Sequence, residues 1–272
     1  MTKWTYLLFA LLLPELALAQ ADPTSRSWNQ PVEPFRITGN LYYVGANEIT
    51  SYLIASPEGH IVLDGGFVET APMILANIRK LGFRPEDVKV LLSSHAHYDH
   101  AGGLAELKRV SGARFYASRA DLPLHARGGL DDPQFGDRFP YPRIYADRIL
   151  EHGSRVRLGG ITMVAHITPG HTPGCTTWTT TIGKQDVVFV CSTTVPSSYR
   201  LRGNPRYPDA IADYRRQFEI LKALTPDVFL ASHGNFFDLE AKRTGTRSFV
   251  DPEGYRRFVE QSEQNFEKRA VE

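Results

Sequence analysis

Cysteine is scarce in this sequence: its 272 residues include only Cys175 and Cys191. Neither lies at the Cys-x-x-Cys spacing of thiolate metal sites, so a zinc site built from cysteine is not indicated. The two flank a segment with a hairpin-like turn at Gly183-Lys184, which could place them opposite each other. Because direct cross-strand disulfides are geometrically awkward, we expect two buried free thiols, although an exported protein could join them.

An excess of charge of either sign is also absent. Lys and Arg number 31 against 30 Asp and Glu, which gives a formal net charge of +1, and the basic residues form no run. A surface that follows the phosphates of a nucleic acid is therefore not expected. A hydrophobic fraction of 42% with 22% charged residues is typical of an ordinary globular protein.

Long apolar runs are missing too, and the one short candidate lies at the start of the chain. Lys3 precedes an apolar stretch over residues 4–13, and small-x-small cleavage sites follow at Ala17-Leu18-Ala19 and Ala19-Gln20-Ala21. This pattern is typical of a secretory signal peptide, and the stretch is too short to span a bilayer. We predict a cleaved signal peptide over residues 1–21, export to the periplasm and no stable membrane anchor. Residues 22–272 contain no low-complexity linker and are predicted to form a single domain.

Strand and helix patterns alternate along the rest of the chain, which predicts an α/β (α+β) fold. The clearest are a buried strand over 88–92, a hairpin over 177–190, and helices over 70–81, 209–224 and 252–268. Residues 22–34 are predicted to form an extended arm. Residues 125–141 are rich in Gly, Pro and Asp and are predicted to form a long irregular loop, a feature that often serves as a functional lid.

Four candidate metal ligands directly follow the buried strand, in the segment Ser94-His95-Ala96-His97-Tyr98-Asp99-His100. Imidazole and carboxylate groups are good zinc ligands, and three or four of them usually hold each ion. In a strand, alternation would point His95, His97 and Asp99 in one direction. His100 must then face elsewhere, or the backbone must turn at that point. This arrangement favours two adjacent metals over one.

Two further histidines complete the candidate set. His171 lies in the turn Pro169-Gly170-His171-Thr172-Pro173-Gly174, and His233 directly follows a short apolar strand. Sites in layered α/β proteins are commonly built at the carboxyl ends of strands, which favours both as ligands. The other four histidines lack such a setting. We take His60, His152 and His166 as structural or surface residues, and the role of His125 stays open.

Three motifs together resemble the metallo-β-lactamase superfamily: the segment that runs on from His95 to Gly103, Pro169-Gly170-His171-Thr172, and Ser232-His233-Gly234. The resemblance covers roughly residues 35 to 265. It implies a four-layer αβ/βα sandwich, in which two β-sheets pack face to face between outer helices, with the site at one rim.

Within the superfamily the chain is most similar to the third subclass of β-lactamases. Glyoxalase II and the lactone hydrolases place a bridging Asp after the strand that follows the Pro-Gly-His motif, and this chain has no carboxylate there. The first two subclasses carry a ligand Cys nearby, and Cys191 is one residue away. Ser192-Thr193-Thr194 fits the Ser-x-Ser/Thr pattern of the third subclass; if Cys191 is a ligand instead, this assignment fails.

The resemblance implies an enzyme with two Zn²⁺ ions per chain that opens the β-lactam ring of penicillins, cephalosporins and carbapenems. The attacking group would be a zinc-bound hydroxide, oriented by Asp99 as the catalytic residue. We expect a small-molecule β-lactam as the partner, and a monomer. The implied roles are as follows: first zinc, His95, His97 and His171; second zinc, Asp99, His100 and His233; substrate contacts, Ser192, Thr194 and Gln134.

Other readings of the same residues stay open. A zinc-dependent lactone or thioester hydrolase is the first alternative, against which the missing bridging Asp argues. A non-catalytic periplasmic zinc-binding protein is the second, although three protein ligands on each zinc would leave open positions, as in catalytic sites. An RNA-processing nuclease is disfavoured by export and neutral charge. Asp64, at the end of a predicted strand, is either a turn residue or a partner that orients a metal-bound histidine.

Overall fold

The computed structural model describes residues 23–271, and strands and helices alternate along this range. The predicted signal peptide, residues 1–21, lies outside the described residues. No helix between residues 23 and 271 combines the length and the apolar character needed to cross a membrane.

The first sheet has seven strands. Neighbours up to β4 pair antiparallel, whereas the four strands from β4 onward pair parallel. In spatial order, which is also chain order, they are β1 (Phe35–Thr38), β2 (Leu41–Tyr43), β3 (Tyr52–Ile54), β4 (His60–Leu63), β5 (Val88–Leu92), β6 (Arg114–Ser118) and β7 (Arg148–Leu150).

The second sheet has five strands and runs in reverse chain order from one edge. The pair nearest that edge, β12 and β11, is parallel, and the other pairs are antiparallel. In spatial order they are β12 (Val228–Ala231), β11 (Gln185–Val190), β10 (Thr176–Ile182), β9 (Ile161–Ile167) and β8 (Arg155–Leu158).

Helices lie between the strands and after them. The long C-terminal helix begins as its sequence predicts, because the Gly254 N–H donates to Oδ1 of Asp251, the residue before Pro252, at 2.9 Å. The helices are α1 (Pro23–Trp28), α2 (Ala71–Lys80), α3 (Tyr98–Ala101), α4 (Leu104–Ser111), α5 (Leu122–Arg127), α6 (Ala210–Lys222), α7 (Leu239–Arg243) and α8 (Pro252–Val271).

Alternation along the strands divides the core into layers. In β4, Ile61 and Leu63 belong to the inner cluster with Trp178 of the second sheet, whereas Val62 belongs to an outer cluster with Ile74 of α2. This is the period-2 pattern of a sheet buried on both faces. Buried residues of α6 and α8 join the second sheet on its other side. The predicted four-layer αβ/βα sandwich and the α/β class are therefore confirmed.

Two parts of the predicted secondary structure are wrong. The arm over residues 22–34 is not extended throughout, because Pro23–Trp28 form α1. The segment 125–141 is not irregular throughout, because His125 lies inside α5. An Asp at position 121 followed by Pro123 in the first turn is a typical helix start, so the sequence does contain a signal for α5.

The expectation of free thiols is also wrong, because Cys175 and Cys191 form a disulfide with Cα atoms 5.9 Å apart. Pairing between β10 and β11 ends at Trp178 opposite Phe189, and both cysteines lie beyond that point. The same register would place Cys191 opposite Thr176, so the cysteines are offset by one residue. The geometric objection to a directly opposed cross-strand pair therefore does not apply.

Candidate metal centre

The six predicted ligands meet at one rim of the sandwich, where strands of both sheets end. β5 precedes His95, β9 precedes His171, and β12 precedes His233. Backbone hydrogen bonds join the two sheets at this rim, since the Thr176 N–H donates to Ser94 O at 2.7 Å and the Thr50 N–H donates to Ser232 O at 3.2 Å. The rim is therefore held by the backbone independently of any ligand.

The segment after β5 does not continue as a strand. β5 ends at Leu92 and the short helix α3 begins at Tyr98, so strand alternation does not apply to Asp99. The sequence predicted that either the backbone turns before His100 or His100 faces elsewhere. The backbone does turn, at the start of α3. It directs Asp99 and His100 to a position beside the one that His95 and His97 face.

The first group of donors is formed by three buried histidines, His95, His97 and His171. One donor atom from each lies within 4.8 Å of the others, and His97 Nδ1 is 3.1 Å from His171 Nε2. His95 Nδ1 contacts Ser94 Oγ at 3.0 Å. Its Nε2 is buried and has no hydrogen-bond partner among residues 23–271, so it is the nitrogen available to a metal.

The second group consists of Asp99, His100 and His233. His100 Nε2 is 3.2 Å from His233 Nε2, and Asp99 Oδ2 is 3.4 Å from the first of these atoms and 3.7 Å from the second. Tetrahedral zinc with ligand bonds of about 2.0–2.1 Å separates its ligand atoms by ~3.3 Å. The separations measured in the two groups, 3.1 Å between His97 and His171 and 3.2–3.7 Å among the second three, lie near this value, so the donors present fit tetrahedral zinc.

Acceptors hold the far nitrogens of two histidines in the first group. His97 Nε2 lies 3.3 Å from Asp132 Oδ2, and His171 Nδ1 lies 2.9 Å from Thr194 O. Such contacts fix the tautomer and the orientation of an imidazole, and they are usual around metal-bound histidines. The remaining ring nitrogens, His97 Nδ1 and His171 Nε2, face each other, as binding of the same metal would require.

Carboxylates also approach the second group, but at 3.5 Å or more, which is longer than the corresponding contacts of the first group. His100 Nδ1 is 3.7 Å from Asp64 Oδ2, and His233 Nδ1 is 3.5 Å from Glu48 Oε1. Asp64 also accepts the Ser94 N–H on Oδ1 at 2.6 Å, at a backbone φ of +64°. Asp64 is therefore both a turn residue at a strand end and a neighbour of a candidate ligand, the two roles considered for it from the sequence.

Burial and neighbouring charge favour the metal-binding forms in the first group. Burial lowers the pKa of His95 and of His171 well below the ordinary value, and nearby imidazoles add to the effect. Both rings are therefore neutral at pH 7, the form that binds metals.

In the second group, charge interactions outweigh burial. Burial raises the pKa of the Asp99 carboxyl, but His100 and His233 reverse this and leave it below its ordinary value. Burial lowers the pKa of His100, but the carboxylates of Asp99 and Asp64 raise it above its ordinary value. Asp99 is therefore ionised, and its Oδ2 lies within 3.7 Å of both imidazoles of this group.

The residues predicted to contact substrate occupy different settings. Ser192 is fully buried, and its Oγ contacts Thr194 Oγ1 at 3.1 Å, whereas Thr194 is exposed and its hydroxyl lies 3.3 Å from His171 Nδ1. Gln134 Oε1 accepts the Arg200 N–H at 3.1 Å and so joins two loops. Thr194 is the member of this set that presents a free face beside the first group.

Several residues near the site were given no role from the sequence, although Asp132 and Tyr199 lie in segments, residues 131–136 and 198–200, that resemble the third subclass. Glu48 and Asp132 approach the histidines from loops distant in the chain. The Tyr199 hydroxyl donates to His171 O at 3.1 Å and lies 3.4 Å from His97 Nε2. The Trp28 ring contacts His233 edge-on, with centroids 5.4 Å apart. Their positions depend on tertiary folding and not on local spacing.

The family model of the metallo-beta-lactamase superfamily matches residues 44–233. The chain belongs to this superfamily. The matched range contains all six candidate ligands.

Solved structures support the likeness to the third subclass. BJP-1, a subclass B3 metallo-β-lactamase of Bradyrhizobium japonicum, is 37% identical with a TM-score of 0.84, and the match covers 90% of this chain and 96% of that one. FEZ-1, a metallo-β-lactamase from Legionella gormanii, is 38% identical with a TM-score of 0.86, covering 89% and 96%. The predicted membership is thus confirmed, and the neighbours agree with the prediction of a hydrolytic enzyme.

Another structural neighbour differs from this chain within the ligand motif. It is a metallo-β-lactamase of Cronobacter sakazakii described by a HARLDQ motif, 40% identical with a TM-score of 0.88, and the match covers 91% of this chain and 98% of that one. This chain reads His95-Ala96-His97-Tyr98-Asp99-His100 over the same pattern. His97 and His100 thus stand where that motif has Arg and Gln.

Curated relatives match over shorter segments. A probable metallo-hydrolase of Burkholderia pseudomallei is 33% identical over 113 residues, and a hydroxyacylglutathione hydrolase of Rhodopseudomonas palustris is 33% identical over 121 residues. These segments are 41% and 44% of this chain but only 37% and 39% of those relatives. They support the superfamily and leave the substrate undecided.

Proposed function

We propose that this chain is a di-zinc β-lactamase of the third-subclass type, which opens the ring of penicillins, cephalosporins and carbapenems. The observation that carries the proposal is the pair of donor groups at the rim, three imidazoles beside one carboxylate and two imidazoles. The high structural similarity to β-lactamases supports it. Both groups keep three protein ligands, a number typical of catalytic zinc.

Two zinc ions held there would polarise a carbonyl oxygen and lower the pKa of bound water to about 7. Asp99, ionised and close to both imidazoles of the second group, would orient the nucleophile through its carboxylate. Asp132 and Thr194 O keep His97 and His171 in one orientation throughout turnover. The Tyr199 hydroxyl borders the first group, because it donates to His171 O and lies 3.4 Å from His97 Nε2.

The exposed hydroxyl of Thr194 is proposed to donate to the substrate carboxylate. Ser192 acts behind it, because its buried Oγ contacts Thr194 Oγ1 and the Thr194 N–H. Two uncharged hydroxyls at this place orient a carboxylate without a fixed positive charge. Gln134 is proposed to act on the shape of the cleft through its contact with Arg200.

A lactone or thioester hydrolase is the second candidate. It is favoured by curated relatives, among them hydroxyacylglutathione hydrolases and an N-acyl homoserine lactonase of Bacillus cereus that is 31% identical over 75 residues. The segment Cys191-Ser192-Thr193-Thr194 argues against it, because it offers no carboxylate to bridge two metals.

We also propose export to the periplasm and action as a monomer on a small-molecule substrate. The signal-peptide pattern of the sequence supports export, and so does the disulfide, since disulfides persist in oxidising compartments.

The proposal is tested by hydrolysis of a carbapenem, a homoserine lactone and a glutathione thioester by the purified protein, with and without a chelator. Rapid, chelator-sensitive ring opening of the carbapenem with little action on the other two is expected. Preferential hydrolysis of the lactone or the thioester would instead support the second candidate function. Zinc binding without turnover of any of the three would favour a zinc-binding protein instead.

A further inference from the structure

A buried carboxylate that belongs to neither donor group joins the chain segments of the first one. Asp121, the residue before α5, is 1% exposed. Its Oδ2 accepts the Ala96 N–H at 3.1 Å and the Thr172 hydroxyl at 2.8 Å, and its Oδ1 accepts the Gly174 N–H at 2.7 Å. Asp121 therefore receives three donors from two separate parts of the rim.

These donors lie next to all three histidines of the first group. Ala96 is the single residue between His95 and His97, and Thr172 directly follows His171. The Tyr141 hydroxyl donates to Ala96 O at 2.8 Å, so both backbone polar groups of Ala96 are fixed by side chains. A shift of Ala96 relative to Thr172 would change the distances among the three imidazole nitrogens.

The turn that follows His171 is shaped to approach this carboxylate. A Cβ on Gly174 would lie 2.6 Å from Asp121 Cγ and 2.2 Å from Ser118 Oγ, a separation that only glycine avoids. The Ser118 hydroxyl in turn donates to Gly174 O at 2.7 Å. Ser118 and Asp121 thus hold the turn from the end of β6.

We propose that Asp121 is a positioning residue for the first metal, which sets the spacing of His95, His97 and His171 through Ala96 and Thr172. Its three hydrogen bonds end at Ala96, Thr172 and Gly174 and reach neither α3, which carries Asp99 and His100, nor the segment of His233, so its loss should act mainly on the first metal. This inference rests on the proposed di-zinc site, although its measurement is metal affinity and not turnover.

Asp121→Asn is the most direct test because it keeps shape and removes one acceptor. The Asn side chain has an NH₂ group in place of one carboxylate oxygen. This NH₂ group must face the N–H of either Ala96 or Gly174, and neither N–H can accept a hydrogen bond. We expect the first zinc to bind about 10–100-fold more weakly, the usual effect of removing a partner behind metal ligands. The second zinc should change by less than about 3-fold.

Thr172 supplies an independent pair of variants should Asp121→Asn fold poorly. Thr172→Val keeps the shape but removes the hydroxyl that donates to Asp121, and it should weaken the first zinc by about 10-fold. Thr172→Ser restores the donor and should bind as the wild type does. Asp147→Asn is the matched control, because Asp147 also accepts a backbone N–H, that of Phe115 at 2.8 Å, but lies away from the rim.

The experiment is a zinc titration of chelator-treated, full-length mature protein against a chromophoric chelator. His171→Ala and His233→Ala assign the two dissociation constants to the two groups. Selective weakening of the first constant in Asp121→Asn and Thr172→Val, with rescue in Thr172→Ser, is the expected result. Equal weakening of both constants, or no change in either, would overturn the proposal. Zinc binding in two steps without lactam turnover would count against the proposed function only.

Discussion

Removal of the disulfide should cost a calculable part of the stability, because the bridge closes a short loop in a buried region. The two cysteines are 16 residues apart in sequence and neither is exposed. In the chain-entropy description, a cross-link over a loop of this size reduces the entropy of the unfolded chain enough to stabilise the protein by about 3 kcal/mol. For a protein of this size, that corresponds to a loss of about 6–12 °C in Tm.

The perturbation is the double variant Cys175→Ala/Cys191→Ala. A single variant is less informative, because a freed Cys191 thiol would lie 3.6 Å from His95 Nδ1 and could bind metal itself. Unfolding by urea or calorimetry is measured with a chelator present, so that differences in zinc affinity do not contribute. The native wild type should show no thiol reactive with an aromatic disulfide reagent until it is unfolded and reduced.

Two results would refute this reasoning. A double variant as stable as the wild type to within about 1 kcal/mol would mean that the bridge does not constrain the unfolded chain as calculated. Two titratable thiols in the native, unreduced protein would mean that the cysteines are not joined. Reduced stability with unchanged zinc affinity would show that the bridge acts on the fold and not on the ligands.

Three further predictions concern single side chains. Asp99→Asn should lower kcat by about 100-fold or more while changing the Tm of the zinc-free protein by less than about 4 °C; an equal kcat would remove its catalytic role. Thr194→Val should raise KM by about 10-fold with kcat nearly unchanged, measured beside Thr193→Val, whose hydroxyl contacts Ser262 instead. Burial lowers the pKa of His125 from 6.5 to about 3, so the unfolded chain gains a proton as the pH falls through 6.5 and the folded protein does not. Stability should fall by about 2 kcal/mol more in the wild type than in His125→Leu between about pH 8 and pH 5, and parallel urea midpoints for the two proteins would contradict this.

The sequence predicted which side chains meet at the rim, because zinc chemistry restricts both the type and the position of candidate ligands. His95, His97, Asp99 and His100 are close in sequence, and their spacing requires a turn that α3 supplies. His171 and His233 were added on their positions after strands, and the fold brings both to the same rim. Their roles as ligands remain predictions, since the structure establishes only their proximity.

Apart from Asp64, the carboxylates that lie behind these ligands were not predicted from the sequence. Glu48 and Asp132 lie in loops, and although the segment around Asp132 resembles the third subclass, the sequence did not assign either carboxylate to a histidine. Each contact joins residues that are distant in the chain, by 185 positions for Glu48 and His233 (233 minus 48) and by 35 for His97 and Asp132 (132 minus 97). The disulfide was missed for a related reason, since the register that offsets the cysteines is set by the pairing of β10 with β11.

The side chains and carbonyls that contact the two donor groups are arranged differently, and this difference should affect how tightly each group binds a metal. The first group is held by Asp121, Asp132 and Thr194 O, whose contacts link its segments directly to one another. In the second, Asp99 and His100 share one short helix, whereas His233 is held by Glu48 from the opposite side. The first group is therefore preorganised by hydrogen bonds between its own segments, and the second depends more on a metal to draw its parts together. Preorganised ligands lose less conformational freedom on binding, so the first zinc should bind more tightly.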